Sequence, residues 1–186
     1  MSTSHKHPLI GIAGSFASGK DTVAHRLAAD FGYTHVSTGD MVREVALRER
    51  DSIERPVLRE VAEHHRQRDG AGAFVKHALT KPRPLVVTGI RALGEAKEIK
   101  NHGGILIFID APIKLRYERM KARHRDNETQ LSLEEFHGNE QKEWHSGETD
   151  ADFNLRDIKS MSDIVVDNTL DLERFIEHIY QKLALT

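Results

Sequence analysis

A glycine-rich segment with a single lysine, Gly14–Thr22 (GSFASGKDT), has the composition to bind a polyphosphate. It follows a short apolar run and precedes an amphipathic pattern at helical spacing, which predicts a loop between a strand and a helix. Backbone N–H groups in such a loop turn inward around an anion, and the positive end of the helix dipole points at it. Lys20 would add a full positive charge at the β- and γ-phosphates. The residues expected to bind the nucleotide are Gly14, Ser15, Ala17, Ser18, Gly19, Lys20, Asp21 and Thr22.

The residue after the lysine of this motif is usually Ser or Thr and ligates magnesium, but here it is Asp21, followed by Thr22. Asp21 could ligate Mg²⁺ directly, because hard cations prefer oxygen ligands. Without a metal, a carboxylate so near the phosphates would repel them. The sequence therefore predicts a Mg²⁺-dependent site with Asp21 as a metal ligand.

The segment His35–Arg43 (HVSTGDMVR) resembles the acceptor-binding stretch of adenylate kinases and related nucleoside monophosphate kinases. The resemblance implies that Thr38 and Arg43 contact an acceptor monophosphate and that Asp40 helps to hold the water shell of the metal. Arg43 lies three residues after Asp40 at a predicted helix start, so both could face the loop, and an arginine fork suits a phosphate. A plain N-capping role for Thr38 or Asp40 stays open.

Further segments follow in the order of the same family. In Val87–Arg91 (VTGIR), Arg91 resembles the second arginine that contacts the acceptor phosphate. Many relatives carry an Asp at the Thr88 position, where it serves the metal. The departure at Thr88 implies a changed metal shell, for which Asp21 could compensate.

Two more segments resemble dephospho-CoA kinases and their archaeal-type relatives. Ile109–Pro112 (IDAP) ends an apolar run as in those proteins, and Asp110 is either a polar strand end or a site residue. Asp163–Thr169 (DIVVDNT) resembles the final strand and the adenine loop, which implies that Asn168 contacts the nucleotide base.

Three arginines, Arg116, Arg119 and Arg123, are spaced to share one helix face. In the kinases that the chain resembles, such arginines lie at a lid and clamp the transferred phosphoryl group. Preplaced cations stabilise the charge that moves between donor and acceptor oxygens, so Arg119 and Arg123 are the predicted catalytic arginines. The alternative is a solvated basic face paired with Glu118.

The elements that must position these residues form an alternation of strands and helices. Short apolar runs without polar alternation suit strands covered on both faces, which predicts an α/β three-layer fold with a parallel five-stranded sheet. Gly32 closes the first helix, Pro56 suits a first helical turn, and Ser132 with Glu135 forms a capping box. The apolar runs are Leu9–Ala13, His35–Val36, Leu85–Val87, Ile105–Ile109 and Ile164–Val166.

The chain of 186 residues is expected to form a single domain, 1–186, of the P-loop kinase type that the resemblance implies. An acceptor-binding helical insert is expected at about residues 38–81, and a lid at about 119–145. The formal net charge of −2 predicts no nucleic-acid partner, and the absence of cysteine excludes disulfides and thiolate chemistry. Apolar runs far shorter than a membrane span predict a soluble, cytoplasmic protein without a membrane partner, a monomer or a homodimer.

These observations together predict a small-molecule kinase with ATP as donor, Mg²⁺ as cofactor, and Lys20, Asp40, Arg119 and Arg123 as catalytic residues. The acceptor is expected to be a small molecule, a nucleoside or deoxynucleoside monophosphate. Dephospho-CoA is the alternative, in which case Asp40 would be the general base for a hydroxyl. A nucleotide-binding regulatory module or a slow ATPase is the alternative of another class, since Asp21 and Thr88 depart from the kinase pattern.

Overall fold

The computed structural model describes residues 6–122 and 131–185, so the predicted catalytic Arg123 lies outside the described residues. Five strands form one parallel sheet in the order β2-β3-β1-β4-β5. The α/β fold class and the parallel sheet predicted from the apolar runs are thereby confirmed. The strands are β1 (Leu9–Gly14), β2 (Thr34–Ser37), β3 (Leu85–Ile90), β4 (Ile105–Asp110) and β5 (Ile164–Asp167).

Helices cover both faces of the sheet. The helices are α1 (Lys20–Phe31), α2 (Thr38–Arg50), α3 (Arg55–Asp69), α4 (Ala73–Ala78), α5 (Leu93–Asn101), α6 (Ile113–Ala122), α7 (Leu133–Trp144), α8 (Leu155–Met161) and α9 (Leu172–Leu183). Helices α1 and α9 pack on one face, through side chains such as Leu27 and Phe175, and α4, α5 and α8 pack on the other. Of the helices in the described ranges, none is long and apolar enough to cross a membrane.

The local signals that the sequence carries are found where they were expected. Gly32 follows α1 in the left-handed conformation, with φ 70°, and Pro56 lies in the first turn of α3. At the start of α7, the Ser132 hydroxyl accepts from the Glu135 N–H at 3.1 Å and the Glu135 carboxylate accepts from the Ser132 N–H at 2.7 Å. These contacts confirm the predicted caps.

The end of β3 differs from the sequence-based prediction. The strand was expected to end at Val87, but it continues to Ile90 through a register irregularity that leaves Gly89 without a partner in β1. Gly89 has φ 83°, and a Cβ there would lie 2.7 Å from the Thr38 hydroxyl. The irregularity therefore lets β3 approach the start of α2 closely, which only glycine permits.

The topology brings the predicted site residues to one edge of the sheet. All strands are parallel, so their carboxyl ends lie together, and β1 in the centre is followed by the phosphate loop. The chain moves to β2 and β3 on one side of β1, and to β4 and β5 on the other. A crevice is expected where the strand order reverses in this way.

We expect Gly14→Ala to be far more destabilising than Gly32→Ala. Both glycines have positive φ, but a Cβ at Gly14 would overlap the backbone of Ile109, whereas a Cβ at Gly32 would meet nothing within 4 Å. Gly32→Ala should cost about 1 kcal/mol for backbone strain, and Gly14→Ala about 3 kcal/mol or more. Urea unfolding measures both, and equal losses would contradict the close β1–β4 approach.

Candidate active site

The loop after β1 forms the floor of a large cavity. The cavity has a volume of about 820 Å³. Residues 16–22 of the loop line it, whereas Gly14 and Ser15 do not. Gly19 precedes α1 with φ 100° and has no side-chain cap, so the first turn of α1 leaves N–H groups available for an anion. The arrangement is that of a phosphate-binding loop.

Lys20 folds back over this loop. Its Nζ donates to the Ser15 carbonyl at 2.6 Å and lies 3.5 Å from the Ser18 hydroxyl. Burial lowers the pKa of Lys20 to about 8; the Asp21 carboxylate opposes this shift and Arg91 adds to it. The site thus concentrates positive charge around the lysine, which favours an anionic ligand.

Asp110, at the end of β4, holds the phosphate loop from below. Its Oδ1 accepts from the Ser15 hydroxyl at 2.6 Å and from the Ala111 N–H at 2.9 Å, and its Oδ2 accepts from Lys159 at 3.3 Å. Burial alone raises the pKa of Asp110, but these donors and the nearby Arg116 outweigh burial and hold the pKa below its usual range. Asp110 was left open as either a polar strand end or a site residue. These contacts favour a site residue, one that positions the phosphate loop.

Asn168 connects three elements at the other side of the loop. Its Nδ2 donates to the Ser18 carbonyl at 2.9 Å, and its N–H donates to the Asp110 carbonyl at 2.8 Å. Arg119 on α6 donates from Nη2 to the Asn168 carbonyl at 3.1 Å. A Cβ at Gly19 would lie 2.5 Å from Asn168 Nδ2, so the loop requires glycine there.

The exposed apolar side chains of Leu170 and Leu172 line the same cavity beside Asn168. Apolar surface next to polar loop groups suits a planar base. Arg119 also lines the cavity, and its Nη1 is buried with no hydrogen-bond partner among the described residues. The region beyond the phosphate loop thus offers an apolar surface and a cationic donor.

The N-capping role left open for Thr38 or Asp40 at the start of α2 is wrong. Ser37, not Thr38 or Asp40, is the N-cap, because its hydroxyl accepts from the Asp40 N–H at 3.2 Å. Asp40 Oδ1 accepts from Arg43 Nη1 at 2.7 Å. The Asp40 side chain is 64% exposed and lines neither this cavity nor the one described next, whereas Arg43 lines both.

A second cavity of about 200 Å³ continues from the first and is here called the acceptor pocket, after the residues predicted from sequence to contact an acceptor. Both cavities are lined by Phe16, Gly39, Arg43, Gly89 and Arg91, so the two meet at these residues. Thr38 lines the acceptor pocket from α2. The predicted acceptor residues Thr38, Arg43 and Arg91 are thus brought together, next to the loop that contains Lys20.

Sequence reasoning missed the contributions of α3 and α7 to this pocket. Arg55 and Arg91 lie 3.6 Å and 3.5 Å from the two oxygens of Glu143 on α7, so the two cations share one carboxylate. The Arg55 guanidinium also lies 3.7 Å from the centre of the Phe16 ring. Arg66 on α3 also lines the pocket. The sequence carried a signal for it, because Arg66 follows Leu58 and Ala62 at helical spacing on the same face of α3.

Arg116 is not part of a solvated face, and the alternative in which this face pairs with Glu118 is wrong for Arg116. Its side chain is buried and makes a two-pronged ion pair with Glu140 on α7. It also donates to the carbonyls of Ala111 at 2.6 Å and of Phe16 at 3.2 Å. Arg116 therefore joins α6 and α7 to the phosphate loop.

The residues present fit a Mg²⁺ ion bound together with a nucleotide. Asp21 and Thr22 line the large cavity beside Lys20 and offer oxygen ligands, whereas Thr88 is buried and its hydroxyl lies 3.0 Å from His35 Nε2. In residues 6–122 and 131–185, no group of three or more His, Asp or Glu side chains could hold a metal. Mg²⁺ in phosphate sites is usually bound by one or two protein oxygens together with phosphates, which matches this donor set.

The fold and the phosphate loop define a P-loop kinase-like protein, and comparison with known proteins gives its family. A family model described as an AAA domain matches residues 10–145. A UPF0200 protein of Methanococcus vannielii is 30% identical over 179 residues, covering 92% of each chain. A UPF0200/UPF0201 protein of Archaeoglobus fulgidus is 34% identical over 94% of the chain, which spans only 54% of that longer relative. The chain belongs to the AAA domain family that this model describes and to the UPF0200 proteins.

Solved structures show the same fold at low sequence identity. Shikimate kinase from Bacteroides thetaiotaomicron superposes with a TM-score of 0.65 at 12% identity, covering 96% of this chain and 99% of that one. Deoxyadenosine kinase from M. mycoides with bound dATP superposes with a TM-score of 0.57 at 15% identity, covering 96% of this chain and 100% of that one. These likenesses confirm the P-loop kinase fold that the resemblance implied.

We expect Asp110→Asn to lower stability more at pH 7 than near pH 3. The native pKa of Asp110 is depressed, so the carboxylate contributes stability above the unfolded value of about 3.9 and loses it as the pH falls through the native pKa. Urea unfolding at both pH values measures the difference. The control is Asp167→Asn, because Asp167 is the last residue of β5, pairs with β4 in the sheet and is exposed. An Asp110→Asn loss of the same size at both pH values would contradict the electrostatic role.

Proposed function

We propose that this chain transfers the γ-phosphoryl group of ATP to a small acceptor, with nucleoside monophosphates as the first candidates. One observation carries the proposal: a large cavity over the phosphate loop and a smaller arginine-lined pocket meet at Arg43 and Arg91. ATP in the first and an acceptor in the second would place the reacting oxygens at that junction. The domain extent 1–186, the insert at about 38–81 and the lid at about 119–145 are part of this proposal.

The chemistry needs orientation and positive charge more than it needs a proton acceptor. An acceptor oxygen attacks the γ-phosphorus in line, the bond to the β–γ bridging oxygen breaks, and ADP leaves with the electron pair. Lys20, Arg43, Arg91 and Arg119 would hold the phosphates and stabilise the charge that moves between them. Mg²⁺, when bound, neutralises negative charge on the β- and γ-phosphates, and Asp21 and Thr22 are the side chains that would hold it.

A monophosphate acceptor is favoured over a hydroxyl acceptor such as dephospho-CoA by the position of Asp40. A phosphate oxygen is already nucleophilic at neutral pH, whereas a hydroxyl benefits from a general base. Asp40 is the candidate base, but its carboxylate is mostly exposed and forms an ion pair with Arg43. The roles predicted for Asp40 in catalysis and in the metal shell, and for Arg123 in the lid, stay predictions.

The decisive test is turnover by the purified full chain with Mg-ATP and a panel of monophosphates and dephospho-CoA. Wild type should phosphorylate at least one acceptor, and Lys20→Met should lower kcat by about 10²-fold or more because it removes a preplaced cation. Lys97→Met is the control, since Lys97 is half-exposed on α5 and pairs with Asp150. Nucleotide binding without turnover, or hydrolysis that no acceptor stimulates, would favour a regulatory module or a slow ATPase instead.

We expect ATP binding to require Mg²⁺ more strongly than in a protein with Ser or Thr after the lysine. The Asp21 carboxylate should weaken metal-free ATP binding by about tenfold, so Asp21→Asn should tighten binding in EDTA and weaken it with Mg²⁺. Asp30→Asn, at the far end of the same helix and paired with Arg26, is the control. Calorimetry measures the affinity of each of the three proteins with and without Mg²⁺, and equal wild-type affinity in the two conditions would refute this role.

A further inference from the structure

We infer that the acceptor has a second anionic group, a carboxylate or a phosphate, which binds Arg66 at the end of the acceptor pocket away from the phosphate loop. The inference rests on the proposed function and narrows its substrate class. It assigns Arg66 on α3 as a residue that recognises the acceptor. The reacting end of the acceptor would lie at Arg43 and Arg91, where the two cavities meet.

Arg66 is a buried cation with unused hydrogen-bonding capacity. It is only 2% exposed, yet it lines the acceptor pocket. Its Nε donates to Glu95 Oε1 at 3.0 Å, but its Nη1 is buried and has no hydrogen-bond partner among the described residues. A buried charged donor without a partner is strongly unfavourable, so an anion in the pocket would remove a penalty as well as add a contact.

The carboxylate that pairs with Arg66 also binds two backbone donors. Glu95 is 0% exposed, and its Oε2 accepts from the N–H groups of Arg91 at 2.9 Å and Ala92 at 3.1 Å. One carboxylate therefore serves the Arg66 guanidinium and two backbone donors. It positions the Arg91 backbone and leaves part of the Arg66 fork for another acceptor of hydrogen bonds.

A second observation places the positive charge at this end of the pocket. Arg59 and Arg66 line the acceptor pocket but not the large cavity over the phosphate loop. Both guanidinium groups lie near the Phe153 ring, 5.6 Å and 4.9 Å from its centre, and that of Arg91 lies 5.9 Å from it. The ring face stabilises three neighbouring cations that would otherwise repel one another. Each of the three arginines also has one carboxylate partner, Glu63, Glu95 or Glu143, and of the three only Arg66 has a buried guanidinium nitrogen without a hydrogen-bond partner among the described residues.

The size of the acceptor pocket agrees with a compact acceptor. Its volume of about 200 Å³ is below the about 300–1,000 Å³ of most ligand pockets. Few atoms can then separate the reacting oxygen from the second anion. The chemistry that fits is a short molecule with an anionic group at each end, or a nucleotide with an additional anionic group.

The experiment compares binding of matched pairs that differ in one anionic group. The pairs are uridine monophosphate with orotidine monophosphate, adenosine monophosphate with adenosine 3′,5′-bisphosphate, and glycerol 3-phosphate with 3-phosphoglycerate. Calorimetry with the full chain, Mg²⁺ and β,γ-methylene-ATP measures each affinity without turnover. In wild type, the second anion should strengthen binding about tenfold or more in at least one pair, as a charge-assisted hydrogen bond would.

Variants assign this gain to Arg66. Arg66→Met should reduce the gain to about twofold or less, because the guanidinium that recognises the second anion is absent. Since Arg66→Met leaves the buried Glu95 carboxylate unpaired, the double variant Arg66→Met/Glu95→Gln keeps the test available if the single variant unfolds. Arg68→Met is the control on the same helix, because Arg68 is exposed, pairs with Asp69 and does not line the pocket.

The outcomes separate this inference from the proposed function. A gain that is lost in the Arg66 variants and kept in Arg68→Met supports the inference. No gain in any pair, or a gain that survives without Arg66, overturns it. The same six compounds and the full panel of monophosphates and dephospho-CoA are then assayed with ATP: a gain with no phosphoryl transfer to any compound supports a second-anion site at Arg66 and refutes the kinase proposal, and transfer without a gain does the reverse.

Discussion

The structure depends on one close contact, between the turn that follows β1 and the end of β4. Gly14 lies against the Ile109 backbone, and the Ser15 hydroxyl donates to Asp110 one residue further along β4. This contact fixes the position from which α1 starts and therefore the direction of its N–H groups. Asn168 at the end of β5 holds the other side of the same turn through the Ser18 carbonyl. Two strand ends thus orient the groups that would bind phosphate.

The fold could be predicted to this extent because its signals are local. The glycines of the loop, the left-handed Gly32 and the capping box at Ser132 each act within a few residues, so they can be read in order along the chain. Strand coverage is not local, and the sequence-based expectation that both faces of every strand are covered is wrong for β5. That strand is at the sheet edge, and Val165 is 47% exposed.

In the candidate site too, residues with a local sequence signal were predicted, and contacts between residues far apart in the chain were not. The phosphate loop was predicted from its motif and its place between a strand and a helix, and the arginines after β2 and β3 from the resemblance to nucleoside monophosphate kinases. The partners of Arg116 and Arg66 were not, because Glu140 and Glu95 lie 24 and 29 residues away in the chain. No periodicity links such pairs, and only the packing of α7 on α6, and of α4 against both α3 and α5, brings them together. Prediction from sequence therefore found the residues that line the two cavities better than those that position them.

The site places Lys20 near Arg91 and Arg116 as well as near the carboxylates of Asp21 and Glu143, and the repulsion between the cations links the fold to the ligand. Arg91 and Arg116 both act to lower the pKa of Lys20, and Arg55 and Arg91 share Glu143. The fold must overcome this repulsion, which the packed helices on both faces of the sheet make possible. An anion at the junction of the two cavities would reduce the repulsion, so an arrangement that costs the fold stability would strengthen binding. By linkage, any ligand that relieves it must also stabilise the folded chain.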